Sequence, residues 1–97
     1  MGRETGNPHS EDIERDWRAR GFSCDIWSDP PGQVWADFVH ASDELVMLID
    51  GAIELRFGGR VLRPAPGEEI LIPAGAAHTV INIGRTRNHW RYGYRGR

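Results

Sequence analysis

The most informative stretch of the chain runs Gly67-Glu68-Glu69-Ile70-Leu71-Ile72-Pro73-Ala74-Gly75-Ala76-Ala77-His78-Thr79-Val80-Ile81-Asn82. It predicts a buried strand, a tight turn and a second strand. Gly67 can adopt the positive φ needed before the first strand, and Pro73 with Gly75 brackets the turn. His78 then begins the second strand, and Asn82 can bond backbone groups at its end. The stretch therefore places a histidine directly after a tight turn between two strands.

A second block with regular spacing lies upstream. It reads Gly32, five residues, Phe38, one residue, His40, three residues, Glu44, six residues, Gly51. His40 and Glu44 have the spacing of a metal-ligand pair, and imidazole and carboxylate groups both bind divalent transition metals. With the histidine of the downstream turn, they predict a divalent metal held inside a small β-barrel.

Most of the chain alternates short apolar segments with turn residues. Asp50-Gly51 is a strong two-residue hairpin signal after a continuous apolar run. The predicted strands cover residues 22–27, 33–40, 45–49, 52–57, 60–63, 69–72, 78–83 and 87–94. Eight short strands with hairpin turns predict an all-β fold, an antiparallel barrel or jelly roll that also hides the sheet edges.

The N-terminal part has a different character. Residues 1–10 lack periodicity and are predicted to be a flexible tail. Residues 11–21 are predicted to form a short helix that Ser10 caps and Gly21 ends. Its apolar stripe contains only Ile13 and Trp17, so the helix must lie on another surface. Residues 22–97 are then predicted to form a single barrel domain.

Composition narrows the class of protein. The chain has 97 residues, a net charge of −2, and twelve basic residues that are all arginine. This charge gives no electrostatic reason to bind nucleic acid, and the absence of lysine excludes lysine-based covalent catalysis. Cys24 is the only cysteine, and the start of the chain is polar and charged rather than signal-like. No stretch is long enough to cross a bilayer, so we expect a soluble, cytoplasmic protein without membrane partners.

The two spaced blocks resemble the motifs of the cupin superfamily, G(X)5HXH(X)3–4E(X)6G and G(X)5PXG(X)2H(X)3N. The second motif matches at every fixed position, and the first matches except that Phe38 replaces the first histidine. The resemblance implies a small single-domain cupin with a jelly-roll β-barrel. It also implies that His40, Glu44 and His78 are the metal ligands. Two imidazoles and one carboxylate accept Fe, Mn, Ni, Zn or Cu, so the sequence does not choose the metal.

The walls of the barrel are predicted to be aromatic. Trp90, Tyr92 and Tyr94 alternate in the last strand and so share one face. If that face is inward, Trp90 and Tyr92 join Phe38 and Val80 around the metal. Such a lining suits a small organic molecule that the metal orients. Inside the barrel we expect no spare carboxylate, and only the phenol of Tyr92 is a candidate acid or base.

Strand alternation over 33–40 places Trp35, Asp37 and Val39 on the face away from His40. Residues 45–49 are apolar on both faces, so their outer face also needs a cover. The N-terminal helix can supply it, but we expect a second subunit to do so and predict a homodimer. Cys24 is interpreted as an apolar filler and His89 as an exposed side chain, rather than as a replacement metal ligand.

Three functions remain open at this point. The first is a metalloenzyme of the oxygenase, isomerase or decarboxylase type that acts on a small molecule. The second is a cupin that binds or senses a small ligand without turning it over. The third is a structural cupin that has lost its metal, with Phe38 marking that loss.

Overall fold

The computed structural model describes residues 10–96. It contains one helix and eight strands, which match the predicted elements in number and order. They are α1 (Ser10–Ala19), β1 (Asp25–Asp29), β2 (Val34–Phe38), β3 (Glu44–Asp50), β4 (Glu54–Phe57), β5 (Arg60–Leu62), β6 (Glu69–Ile72), β7 (His78–Ile81) and β8 (Asn88–Tyr94). The predicted tail falls almost entirely on residues 1–9, which lie outside the described residues.

The strands form two four-stranded sheets in which every pairing is antiparallel. The first sheet has the order β1-β8-β3-β6 and the second β2-β7-β4-β5. The mostly β fold with one short helix is thereby confirmed. Closure into a jelly-roll barrel stays a prediction, because within residues 10–96 no strand pairing joins one sheet to the other.

The helix ends where Gly21 was predicted to end it. The N–H of Gly21 donates to the carbonyl of Arg18, and the N–H of Phe22 donates to the carbonyl of Trp17 at 2.9 Å. This is the Schellman pattern, and it requires a left-handed residue that glycine adopts at little cost. Gly21 has a φ of 91°. Trp17 and Phe22 then pack in the same apolar cluster, which anchors the end of the helix.

Strand β3 is apolar on both faces because both faces are covered. Val46 and Leu48 lie between the two sheets, in the main core. Leu45 and Met47 point the other way and pack in a second cluster with Trp17 of α1. The helix, rather than the expected second subunit, therefore covers this part of the outer face. In the part of the chain that the structure describes, no helix is long and apolar enough to span a bilayer.

The alternation predicted for β2 is wrong after Trp35. The register with β7 is Trp35↔Val80 and then Phe38↔His78, so two residues of β2 oppose one of β7. The extra residue is a β-bulge, and its Asp37 has a φ of 58°. Because of the bulge, Trp35 lies on the same side as Phe38 instead of facing outward.

The start of β1 also differs from the prediction. The strand begins at Asp25 rather than Phe22 and continues to Asp29, two residues beyond the predicted strand over 22–27. Its five residues pair with β8, from Asp25↔Tyr92 to Asp29↔Asn88. Pro30 follows directly and cannot donate a backbone hydrogen bond, which ends the strand.

Candidate metal centre and aromatic cavity

Three side chains that the sequence predicted as metal ligands meet at one end of the space between the sheets. His40 lies in the loop after β2, Glu44 begins β3 and His78 begins β7. Glu44 Oε1 is 3.3 Å from His78 Nε2 and 3.7 Å from His40 Nε2. One donor atom from each residue lies within 4.8 Å of the other two. The geometry therefore brings two imidazole nitrogens and a carboxylate oxygen to one point.

Hydrogen bonds between two loops hold this arrangement. The N–H of Gly75, in the β6–β7 turn, donates to the carbonyl of His40 at 2.9 Å. The neighbouring N–H of Ala74 donates to Asp43 Oδ1 at 2.8 Å, and Arg95 Nε donates to Asp43 Oδ2 at 3.2 Å. The bond from Ala74 is the main cause that lowers the pKa of Asp43, with Arg95 adding to it. The turn before His78 is thus tied to the loop that carries His40.

One carboxylate oxygen of Glu44 lacks a hydrogen-bond partner within residues 10–96. Its side chain is buried, and Oε1 has no hydrogen-bond partner among the described residues. This oxygen is 3.3 Å from His78 Nε2, and hydrogen bonding to the carboxylate by the protonated imidazole is the main cause that raises the pKa of His78, whereas burial opposes this rise. A buried carboxylate oxygen without a partner is costly in free energy. A bound cation at this point would remove that cost, so the residues present fit a metal.

The remaining contact of His78 also suits metal binding. His78 Nδ1 lies 3.3 Å from the carbonyl of Ala76, which can only accept, so this bond requires the proton on Nδ1. The lone pair of His78 Nε2 is then directed at the carboxylate of Glu44. His40 Nε2 lies 3.2 Å from the hydroxyl of Tyr94. Tyr94 therefore stands beside the candidate metal position.

Phe38 faces the same point but offers no donor atom. Its ring lies parallel to that of His40, with an interplanar angle of 8° and centroids 6.2 Å apart, and 6.3 Å from the ring of His78. A histidine at position 38 would thus be near the other ligands. Among residues 10–96, His40, Glu44 and His78 form the only such group of three potential ligands.

The residues considered as replacement ligands lie elsewhere. Asp37 is exposed in the bulge of β2, where its N–H donates to Thr79 Oγ1. Cys24 is a buried free thiol in the cluster beneath α1, and burial is the main cause that raises its pKa. His89 Nδ1 pairs with Asp50 at 2.8 Å on the surface. The interpretations of Cys24 as a filler and His89 as exposed are consistent with these positions.

A cavity of about 290 Å³ extends from the three candidate ligands and is mostly aromatic. It is lined by Trp27, Trp35, Phe38, His40, Glu44, His78, Val80, Trp90, Tyr92 and Tyr94. All four predicted pocket residues, Phe38, Val80, Trp90 and Tyr92, line it. That a substrate binds there stays a prediction.

Sequence reasoning missed three of the aromatic lining residues. Tyr94 had a signal, because it alternates with Trp90 and Tyr92 in β8. Trp35 had none, since the bulge that turns it inward is not visible in the sequence. Trp27 enters the cavity because β1 pairs with β8 in the register Trp27↔Trp90.

A buried carboxylate outside the cavity accepts hydrogen bonds from three of the tryptophans. Asp29 is 2% exposed and does not line the cavity. Its oxygens accept hydrogen bonds from the indole nitrogens of Trp27 at 2.9 Å, Trp35 at 3.1 Å and Trp90 at 3.3 Å. Asp29 is thus a further carboxylate of the interior, but its oxygens are engaged by these rings, so it is not a spare acid or base for the cavity.

Two asparagines bond the backbone groups of Asp29 at the end of β1. Asn82 Nδ2 donates to the carbonyl of Asp29 at 3.1 Å, as expected for the last residue of the second motif. Asn88 Oδ1 accepts from the N–H of Asp29, and its Nδ2 donates to the carbonyl of Ala52. Asn82, which directly follows β7, thereby places the end of β1 against the β7 side of the cavity.

Comparisons with known proteins agree with the fold described above. The sequence model described as Cupin domain matches residues 25–91. No curated protein sequence matches the chain. Among solved structures, the TT1209 protein of Thermus thermophilus is 28% identical with a TM-score of 0.68, over 76% of this chain and 72% of that one.

Two further structures are similar at lower identity and therefore show a shared fold alone. A predicted oxalate decarboxylase from Thermotoga maritima is 16% identical, with a TM-score of 0.70, over 84% of this chain and 72% of its own. A DMSP lyase from Ruegeria pomeroyi is 19% identical, with a TM-score of 0.69, over 78% of this chain. The chain spans only 39% of the length of that lyase.

Proposed function

Because the chain belongs to the cupin family, we propose that it binds one divalent transition metal through His40, Glu44 and His78 and presents the metal to a small organic molecule. The buried oxygen of Glu44 carries this proposal. It lies within 4 Å of both Nε2 atoms and has no hydrogen-bond partner among residues 10–96. A metal at this position supplies the missing partner and compensates the buried negative charge of the carboxylate.

The residues around the metal site would have different roles. The Ala76 carbonyl holds His78 in the tautomer that leaves Nε2 free. The aromatic walls border the ligands with apolar surface, which strengthens electrostatic interactions inside the cavity. When bound, a metal of this kind supplies Lewis-acid or redox chemistry to a coordinated molecule.

We favour turnover of the oxygenase, isomerase or decarboxylase type. Two of the similar structures carry enzyme names, a decarboxylase and a lyase. The cavity also joins an apolar binding volume directly to the candidate metal position, as a substrate site requires. Tyr92 and Tyr94 are the protic side chains that line it besides the three ligands and the three indoles of the wall.

The second candidate is binding or sensing of a small ligand without turnover. It is favoured by the lack of a spare base among the described residues that line the cavity. Burial is the main cause that raises the pKa of Tyr92, so its phenol can donate a proton but is not a base near neutral pH. Asp29 is engaged by three indoles and does not reach the cavity. Ligand-induced stabilisation without product formation would identify this function.

Elemental analysis of the purified protein tests the metal site. The wild type, purified without a tag or chelator, is expected to contain about one equivalent of a transition metal. His78→Ala is expected to lose it because one of three donors is removed. His89→Ala is the matched control, since it removes a surface histidine that lies away from the site. Circular dichroism would be used to check that all three proteins are folded.

Two outcomes would contradict the metal proposal. One is wild-type protein without metal even after anaerobic addition of iron and manganese. The other is equal metal content in folded His78→Ala and His89→Ala. Either outcome would favour the third alternative, a metal-free structural cupin in which Phe38 marks the lost site.

Three finer expectations belong to the same proposal. Family membership supports closure of the two sheets into a jelly-roll barrel. A cytoplasmic location is supported by the buried free thiol of Cys24. A homodimer remains proposed, with exposed apolar side chains such as Ile26 and Leu71 on the outer face of the first sheet as its support. Light scattering at micromolar concentration checks it, and a monomeric mass of 11.0 kDa would contradict it.

A further inference from the structure

The aromatic side chains of the cavity form a nearly continuous wall. Ring centroids are 6.3 Å apart for Trp27–Trp35 and 6.0 Å for Trp35–Phe38. Along β8 they are 5.8 Å apart for Trp90–Tyr92 and 6.0 Å for Tyr92–Tyr94. Successive rings are tilted or edge-to-face rather than stacked flat, so the wall curves around the space.

Asp29 makes this wall electron-rich as well as rigid. Four contacts from three indole N–H groups converge on its two oxygens. Each indole is thereby fixed in orientation, and the negative charge behind the rings polarises them. A cation over an aromatic face is attracted by the ring quadrupole, most strongly at tryptophan.

The charges around the cavity also favour a cation. Asp29 lies directly behind it, and Glu44 adds a second negative charge wherever no metal compensates it, whereas no arginine of residues 10–96 is among the lining residues and the chain has no lysine. An anionic ligand would find no basic side chain among these lining residues apart from the histidines. A volume of about 290 Å³ is also small, with room on the order of ten water-sized groups.

We propose that the aromatic cavity binds a small organic onium cation, such as a quaternary ammonium ion. Methylated rather than primary ammonium follows from the hydrogen bonding. A primary ammonium needs acceptors for three N–H groups, but the oxygens of Asp29 are already occupied by indoles and Glu44 is the single carboxylate among the lining residues. A methylated cation needs none and gains from the rings alone. The inference names the ligand class of the proposed function and so rests on it, but it uses the rings and not the metal.

Choline and its neutral isostere 3,3-dimethylbutan-1-ol provide the direct test, because they have the same shape and differ in charge. Isothermal titration compares both with ethanolamine, the primary amine, in metal-loaded and in chelator-treated protein. We expect choline to bind at least about tenfold more tightly than either other compound. Equal or weaker binding of choline than of the neutral isostere would overturn the proposal.

Variants locate the effect in the wall. Trp27 is 43% exposed, so Trp27→Leu removes a ring without opening the core. We expect the preference for choline over the isostere to fall several-fold in Trp27→Leu and in Phe38→Leu. The matched control is Ile26→Ala, because Ile26 neighbours Trp27 on the opposite face of β1 and is exposed. An unchanged preference in both wall variants would overturn the proposal.

Metal content is measured on the same samples, which separates the two proposals. A preference for choline in protein that binds no metal would support the onium site in the aromatic cavity and contradict the metal site. One equivalent of metal without a preference for choline would overturn the onium proposal and leave the metal site supported.

Discussion

Phe38 determines how many protein ligands the candidate metal can have. It occupies the place of a histidine in the family motif, and its ring packs parallel to His40. Position 38 therefore points at the site, although the side chain present there contributes only an apolar surface. The backbone therefore directs position 38 at the candidate metal, but phenylalanine has no atom that could bind it.

Phe38→His is expected to tighten metal binding by about tenfold or more, because a fourth protein donor would join three existing ones. Competition titration against a chelator measures the change in affinity. Phe38→Leu is the control, since it removes the same ring without adding a donor. Equal metal affinity in the two variants would show that position 38 does not reach the metal.

At the scale of single elements, the β4–β5 hairpin contains a buried charge on its outer face. Glu54 is 2% exposed and accepts from Arg56 Nε at 2.6 Å and from Arg63 Nε at 3.0 Å. The bond from Arg56, followed by that from Arg63, lowers the pKa of Glu54. The two arginines remain largely solvated and lie over the carboxylate.

Glu54→Gln should therefore destabilise the protein in a pH-dependent way. A carboxyl whose pKa is lowered by folding stabilises the fold above its unfolded pKa, and this stabilisation is lost as the pH falls through the folded pKa. Urea unfolding at about pH 7 and about pH 3 should show a difference between wild type and variant that shrinks in acid. Glu68→Gln is the control, because its amide oxygen can still accept from the N–H of Ala65. A difference that is the same at both pH values would contradict the assignment.

The two faces of strand β8 contact different parts of the molecule. Trp90, Tyr92 and Tyr94 line the cavity, whereas Gly93 between them passes under the end of α1. A Cβ at Gly93 would overlap the carbonyl of Ser23 and approach the ring of Trp17 to 3.0 Å. The small residue is needed there because the backbone of the neighbouring segment occupies the space of a side chain.

For the whole molecule, a bound metal would link the two sheets, because Glu44 belongs to the first and His78 to the second. At a free metal concentration a hundred times the dissociation constant, the stabilisation is about 2.7 kcal/mol. For a domain of this size, that raises the unfolding temperature by roughly 10–20 °C.

Thermal unfolding followed by circular dichroism, with and without chelator, checks this expectation. His89→Ala should show the same shift as the wild type, and His78→Ala should show little. Equal unfolding temperatures with and without chelator, in protein shown to contain metal, would contradict a site that joins the sheets.

Local patterns in the sequence were enough to predict the helix, the number and order of the strands, and the turns at glycine and proline. These features depend on a few neighbouring residues, whose periodicity and backbone preferences act over short distances. The two motifs also predicted that His40, Glu44 and His78 would meet, because the family resemblance carries long-range information that a single strand lacks.

The aromatic wall, by contrast, arises from pairings between distant parts of the chain. Trp35 turns inward because β2 bulges against β7, and Trp27 reaches the cavity because β1 pairs with β8. Asp29 binds the indole of Trp90, sixty-one residues away. The helix covers Leu45 and Met47, where we expected a second subunit from the sequence. Such choices depend on the burial and hydrogen bonding of all segments together, so no local pattern records them.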